Sequence, residues 1–194
     1  MEYLFFCSHD REKHGKKSTL SNWYPTPFEM PNGIKFVHTE QYMMLRKSAL
    51  FGDKETSILI MNETDPQKCK ALGREVKGFN QEVWNTEAQK IMVEGLLLKF
   101  TQNPELLEYL LQTGEKELVE AASYDEVWGI GLNEEDVINI PELEWPGKNW
   151  LGVCLMIVRD LLRPNASIGR TRDICTKCLN ALPEENKLIM VPPR

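Results

Sequence analysis

The sequence predicts an α+β domain that is mostly helical, with a small, mostly antiparallel sheet. Three observations carry this. Residues 81–102 place Val83, Trp84, Ala88, Ile91, Met92, Leu96 and Phe100 at helical spacing. Asn32-Gly33 between short apolar runs is a hairpin signal. Several further segments open on helix starts such as Asp65-Pro66 and Asn103-Pro104.

In chain order, residues 3–7 form an aromatic and aliphatic stretch with no breaker, which reads as a buried strand. Residues 8–18 read as a polar loop. Ser21-Asn22-Trp23-Tyr24-Pro25-Thr26-Pro27 stays extended through its prolines. The hairpin joins strands at about 28–30 and 34–38. Thr39 is the expected N-cap of the next helix, and Gly52 its stop. At ~100° per residue, Glu40, Met44, Lys47 and Phe51 fall on one stripe of that helix. Its two charges either face solvent at the edge of the core or line a pocket. A short helix over 53–62 follows, then one from Pro66 to about 76. Asn80 caps the long helix. The helix opened by Asn103-Pro104 ends at Gly114. A strand is expected over 118–122, a glycine-containing turn over 123–131 and an acidic surface insertion over 132–147. A last helix over 153–162 is opened by residues 148–152. We expect one catalytic domain over 1–164 and an accessory tail over 165–194.

The 194 residues carry a net charge of −6, with a pI near 5.2, which argues against a coat for duplex nucleic acid. No run approaches the ~18 apolar residues of a membrane span, and no secretory signal is visible. Five cysteines at irregular spacing fit free thiols in a reducing cytoplasm. Cys175-x-x-Cys178 holds only half of a zinc set, so no metal and no cofactor is expected. Residues 9–17 form a basic patch, read as a solvated loop or as a clamp on a phosphate.

There is no P-loop, dinucleotide fingerprint or nucleophile elbow. Carboxylates, one lysine and tryptophans remain. Taken singly, Glu40 reads as a first-turn helix acid, Trp84 as core, and Asp125 with Trp128 as a turn. Together they offer a stacking surface, two carboxylates and an amine. That set suits binding a base and attacking the sugar carbon attached to it.

Ser21-Asn22-Trp23, Thr39-Glu40-Gln41-Tyr42, Lys47-x-Ala49-x-Phe51-Gly52-Asp53, Gly73-Arg74 with Trp84, Lys99-Phe100, Val119-Glu120 with Asp125-x-x-Trp128-Gly129-Ile130-Gly131, and Asn149-x-Leu151-Gly152 occur in that order. Over about residues 3–163 this ordered set resembles the NADAR family, named for NAD and ADP-ribose. Its YbiA-type bacterial members are N-glycosidases acting on riboflavin-biosynthesis intermediates, and others resemble hydrolases that remove ADP-ribose from guanine. The resemblance implies catalytic roles for Glu40, Lys47 and Asp125. It implies stacking contacts from Trp84 and Trp128, and Trp23, Tyr42 and Gly129 of the same motifs are expected at the substrate. Phosphates need donors: Arg11, Lys13, Lys16, Lys17 and Arg74 are candidates, and Ser21, Asn22 and Asn149, the last at a helix start where N–H groups favour anions, are preferred. Gln41 stands where relatives commonly carry His, so a histidine there is not required.

Two mechanisms stay open. Asp125 or Glu40 activates water while the other carboxylate stabilises an oxocarbenium-like transition state. Alternatively Lys47 attacks the opened sugar at C1 to form a Schiff base, with Glu40 shuttling protons. The expected substrate is a small ADP-ribosyl or ribosyl-phosphate compound, or a single-stranded ADP-ribosylated nucleic acid, with no membrane partner. The competing functions are a hydrolase of ribosylamino-pyrimidine phosphates, a non-catalytic ADP-ribose or NAD sensor, and an assembly subunit recruiting a partner through the tail.

Overall fold

The structure, a computed structural model, describes residues 2–163. The tail and its Cys175/Cys178 pair lie outside the described residues. In chain order the elements are β1 (Tyr3–Phe6), α1 (Arg11–His14), a 3-10 turn (Gly15–Leu20), β2 (Phe28–Glu29), β3 (Lys35–Phe36), α2 (Thr39–Leu50), α3 (Lys54–Met61), α4 (Pro66–Arg74), α5 (Gln81–Gln102), α6 (Pro104–Gln112), β4 (Glu117–Glu120), α7 (Glu134–Val137), a second 3-10 turn (Glu142–Glu144) and α8 (Trp150–Leu162). They gather into two compact units. Among the described residues, one takes 2–24 with 104–163 and the other takes 25–103.

In the first unit β1 pairs with β4 in parallel, Tyr3 opposite Glu117 and Phe6 opposite Glu120. The small sheet therefore comes as two separate ladders, one parallel and one antiparallel. Val119, Ile130 and Val137 form the core over this ladder, with Tyr3, Phe5, Leu132 and Trp145 packed against it. The Trp145 ring lies 5.5 Å from Tyr3 and 6.2 Å from Phe5. Residues 132–147 are thus not simply a surface insertion. Their acidic composition hides three apolar anchors, Leu132, Val137 and Trp145, that pack against the strand core. α8 meets β4 closely because residue 152 is glycine: a Cβ there would stand 2.0 Å from the Leu118 carbonyl oxygen. The loop expected over 8–18 contains α1, because Asp10 Oδ1 accepts the backbone N–H groups of Glu12 and Lys13.

In the second unit the hairpin β2–β3 is antiparallel, and Gly33 turns it at φ +86°. Phe28 and Phe36 pack against Tyr42 of α2. α2 lies against α3, α4 and α5 and is buried almost all round rather than on one stripe. Its cap is His38, one residue before the expected Thr39. His38 Nδ1 accepts the Gln41 N–H at 3.0 Å, so Nε2 carries the proton that faces the Thr64 carbonyl. Among the described residues the Thr39 hydroxyl has no hydrogen-bond partner. Gln41 Oε1 accepts the Val37 N–H, and its Nε2 donates to the Ile60 and Glu63 carbonyls. The Gln41 side chain therefore ties the start of α2 to the end of α3.

Candidate functional site

In the second unit three predicted residues act on the amine of a fourth, Lys47: Trp84 through its ring, and Glu40 and Arg74 through their charges. Lys47, in the last turn of α2, donates from Nζ to the Gly73 carbonyl at 2.7 Å. The same Nζ lies 4.3 Å from the centre of the Phe79 ring and 5.3 Å from that of Trp84. A Cβ at Gly73 would stand 2.0 Å from Met44 Sδ, so a larger residue there would push the flexible Met44 side chain aside. That close approach is what brings the α4 carbonyl within reach of α2. Burial holds the Lys47 amine below the ordinary lysine range. Glu40, seven residues earlier on the same helix, pulls it back up, and Arg74 on α4 pushes it down further. A lowered amine reaches its neutral, nucleophilic form at lower pH than a solvated one.

Glu40 is 1 % exposed, which rules out the solvent-facing reading of its stripe. Its charge reaches the buried Cys69 too. Burial, then Glu40, Glu63 and Asp65, push that thiol up to about 12, so Cys69 is not a nucleophile near neutrality. Arg74 is exposed in the last turn of α4 and makes no ion pair within the described residues. Trp84 is 8 % exposed, and one face is turned to the Lys47 amine. Phe79 was missed by the sequence reading. Its position between Gly78 and the Asn80 cap reads as punctuation before a helix, and only the fold sets it on Lys47 and edge-on to Phe51 at 5.3 Å. A groove of about 390 Å³ lies in this unit, lined by Phe51, Gly52, Asp53, Lys54, Glu55, Lys77 and Gly78. Phe51 is its link to the lysine cluster, and none of the predicted site residues lines it.

Tyr42 does not fit its expected substrate contact. It is buried against Phe28, Phe36 and the flat side of Gly95, where a Cβ would stand 2.6 Å from its ring. Its hydroxyl donates to Glu94 and accepts from Arg46, and Arg46 pairs with Glu94. Tyr42 is a core residue in a closed polar network.

The first unit gathers Asp125, Trp128, Gly129 and Asn149 at the end of β4. Asp125 Oδ1 accepts the N–H groups of Val127 and Trp128 at 3.0 and 2.8 Å, which folds the turn. Gly129 is buried where a Cβ would stand 2.9 Å from both the Asp125 and Glu120 carbonyl oxygens. Trp128 meets Trp150 edge-on at 5.7 Å. Asn149 sits at φ +52°. Its Oδ1 accepts the Glu120 N–H and its Nδ2 donates to the Leu118 carbonyl. The Asn149 side-chain amide, expected as a phosphate donor, is committed to the edge of β4. Ser21 Oγ accepts the Trp23 N–H, and Ser21 and Asn22 are buried. The Trp23 ring lies 6.0 Å from His9. Among the described residues no group of three or more His, Cys, Asp or Glu side chains is placed to hold a metal ion.

Comparison with known proteins gives these residues a context. The model of the NADAR domain matches residues 5–163. The chain is 44 % identical over 163 residues to an N-glycosidase of Acanthamoeba polyphaga mimivirus, covering 82 % of this chain and 95 % of that protein. It is 33 % identical over 140 residues to an N-glycosidase of Nostoc punctiforme, covering 69 % and 81 %. A riboflavin biosynthesis protein of Vibrio vulnificus is 28 % identical over 166 residues, covering 86 % of this chain but 40 % of the Vibrio protein. The NMR structure of the E. coli protein YbiA shares the fold, with a TM-score of 0.65 at 24 % identity over 84 % of this chain and 86 % of YbiA. No helix of the described residues is long and apolar enough to cross a membrane.

Proposed function

The chain belongs to the NADAR family and is an N-glycosidase, and we propose that the bond it hydrolyses joins a phosphorylated ribose to a base nitrogen, with ADP-ribose on guanine as the first substrate. The observation that carries the reading is the Lys47 amine: half-buried, lowered by burial, held by one carbonyl and two ring faces, and electrostatically coupled to Glu40.

An amine-linked ribose can open. The nitrogen lone pair forms a C1 imine as the C1–O4′ bond breaks, and O4′ takes a proton. Lys47 Nζ adds to C1. The base amine then leaves with a proton, and a lysine Schiff base remains. Water adds to C1, the lysine departs, and the open aldehyde recloses to free ADP-ribose. Glu40 is the proton carrier in this scheme, being the carboxylate that acts on the amine. Arg74, exposed and outside any ion pair among the described residues, is the diphosphate donor on this unit. The alternative, in which Asp125 activates water, has less support, since one Asp125 oxygen already holds two backbone N–H groups.

A second substrate has its own support. The Vibrio relative is named a riboflavin biosynthesis protein. A ribosylamino-pyrimidine phosphate offers the same amine-linked C1 in a smaller molecule. Both compounds are to be incubated with the protein and followed by chromatography. We expect free ADP-ribose from guanine-linked ADP-ribose, presented on GMP or on a single-stranded oligonucleotide. Release from the pyrimidine compound alone would move the assignment to the second substrate. Binding of both without release would contradict hydrolysis.

A further inference from the structure

We propose that Phe79 is a positioning residue of the N-glycosidase: its ring is the wall that fixes the Lys47 amine against the Gly73 carbonyl. This rests on the reading of Lys47 as nucleophile and adds a residue to it. Phe79 is 40 % exposed. Both of its neighbours are fixed. Gly78 turns the backbone at φ +70°, and Asn80 caps α5 by accepting the Glu82 and Val83 N–H groups. The ring is thereby set edge-on to Phe51, 4.3 Å from Lys47 Nζ, nearer than the Trp84 ring at 5.3 Å. Gly73 supplies one acceptor, and both ring faces lie beside the same nitrogen. The charges that reach the amine are Glu40 on α2 and Arg74 on α4, while α5 contributes only the Trp84 ring.

A ring face and an apolar cover act on this amine with opposite sign. The π face favours the ammonium, and exclusion of water disfavours it. Substitutions at 79 separate the two. In Phe79→Leu the cover stays and the π face goes. In Phe79→Ala both go. In Phe79→Tyr both stay. The experiment follows pH-dependent acetylation of Lys47 by mass spectrometry on the full-length protein without substrate, beside kcat, KM and the rate of the borohydride-trapped adduct.

We expect the Phe79→Leu midpoint to fall by about half a pH unit, and the Phe79→Ala midpoint to rise toward the ordinary lysine value. Adduct formation and kcat fall about tenfold in Phe79→Ala, with KM within about twofold, and Phe79→Tyr restores all of these. Identical Lys47 titration in all variants would overturn the proposal. So would a loss confined to KM, which would make the ring a substrate contact. The Lys47 titration needs no turnover. A wild-type enzyme that turns over without an adduct would sink the nucleophile reading and leave the titration result to be read by itself.

Discussion

The end of α2 and the turn after β4 each set a charged side chain near a tryptophan and a glycine, and they differ in chemistry. At the turn, Asp125 spends an oxygen on two backbone N–H groups, Gly129 leaves no room for a Cβ, and Asn149 closes the strand edge. In α2, Lys47 is held by one carbonyl and two ring faces, and burial works against its charge. A group bound by several short directional bonds is part of the scaffold. A group held by one bond and soft contacts can leave its place and react. By that criterion we propose Lys47 as the reactive centre and read the Asp125 turn as architecture.

The sharpest way to break this contrast is to exchange the two losses. Lys47→Arg keeps charge and bulk, yet activity should fall about a thousandfold or more, as expected for loss of a nucleophile. Asp125→Asn keeps an oxygen for the turn, and activity should stay within about threefold. If the asparagine protein instead loses a hundredfold with its melting curve unchanged, Asp125 is a catalytic base and the contrast fails. Glu40→Gln should fold normally and lose about a hundredfold in kcat, the size of a general acid–base contribution. Wild-type turnover in that protein would remove Glu40 from the chemistry.

Next come effects on stability alone. Gly95→Ala drives a methyl against a Tyr42 ring that Glu94 and Arg46 hold in place, so urea unfolding should show a loss of about 2 kcal/mol. Asn149→Ala should lose about 2 kcal/mol through the two β4 bonds and the left-handed backbone. No loss there would show that the amide is available for a ligand after all. The smallest effect is a slope. The folded-state value of Lys47 is lowered, so the unfolded chain binds more protons between that value and the ordinary lysine range. Stability therefore rises with pH across that window. Lys47→Met should flatten this part of the curve, read by thermal melts at stepped alkaline pH.

The sequence made the helices legible where a cap or a proline marks them. Asp65-Pro66 and Asn80 start α4 and α5 where expected, and Asp53 caps α3. The cap of α2 was displaced by one residue because an imidazole accepted the bond assigned to a hydroxyl. The parallel pairing of β1 with β4 was not legible, since its partners come from distant parts of the chain. The chemistry divides in the same way. Motif order pointed to Glu40 and Lys47. What residue spacing cannot report is how a side chain's bonds are spent, and this separates Tyr42 and Asn149 from Lys47. Phe79 belongs to no periodic pattern, and only the approach of its ring to Lys47 gives it meaning.

Borohydride trapping during turnover of guanine-linked ADP-ribose tests the central claim most directly. The account predicts a stable ribosyl adduct on the peptide carrying Lys47, absent in Lys47→Arg. Full turnover with no adduct at Lys47 would contradict it.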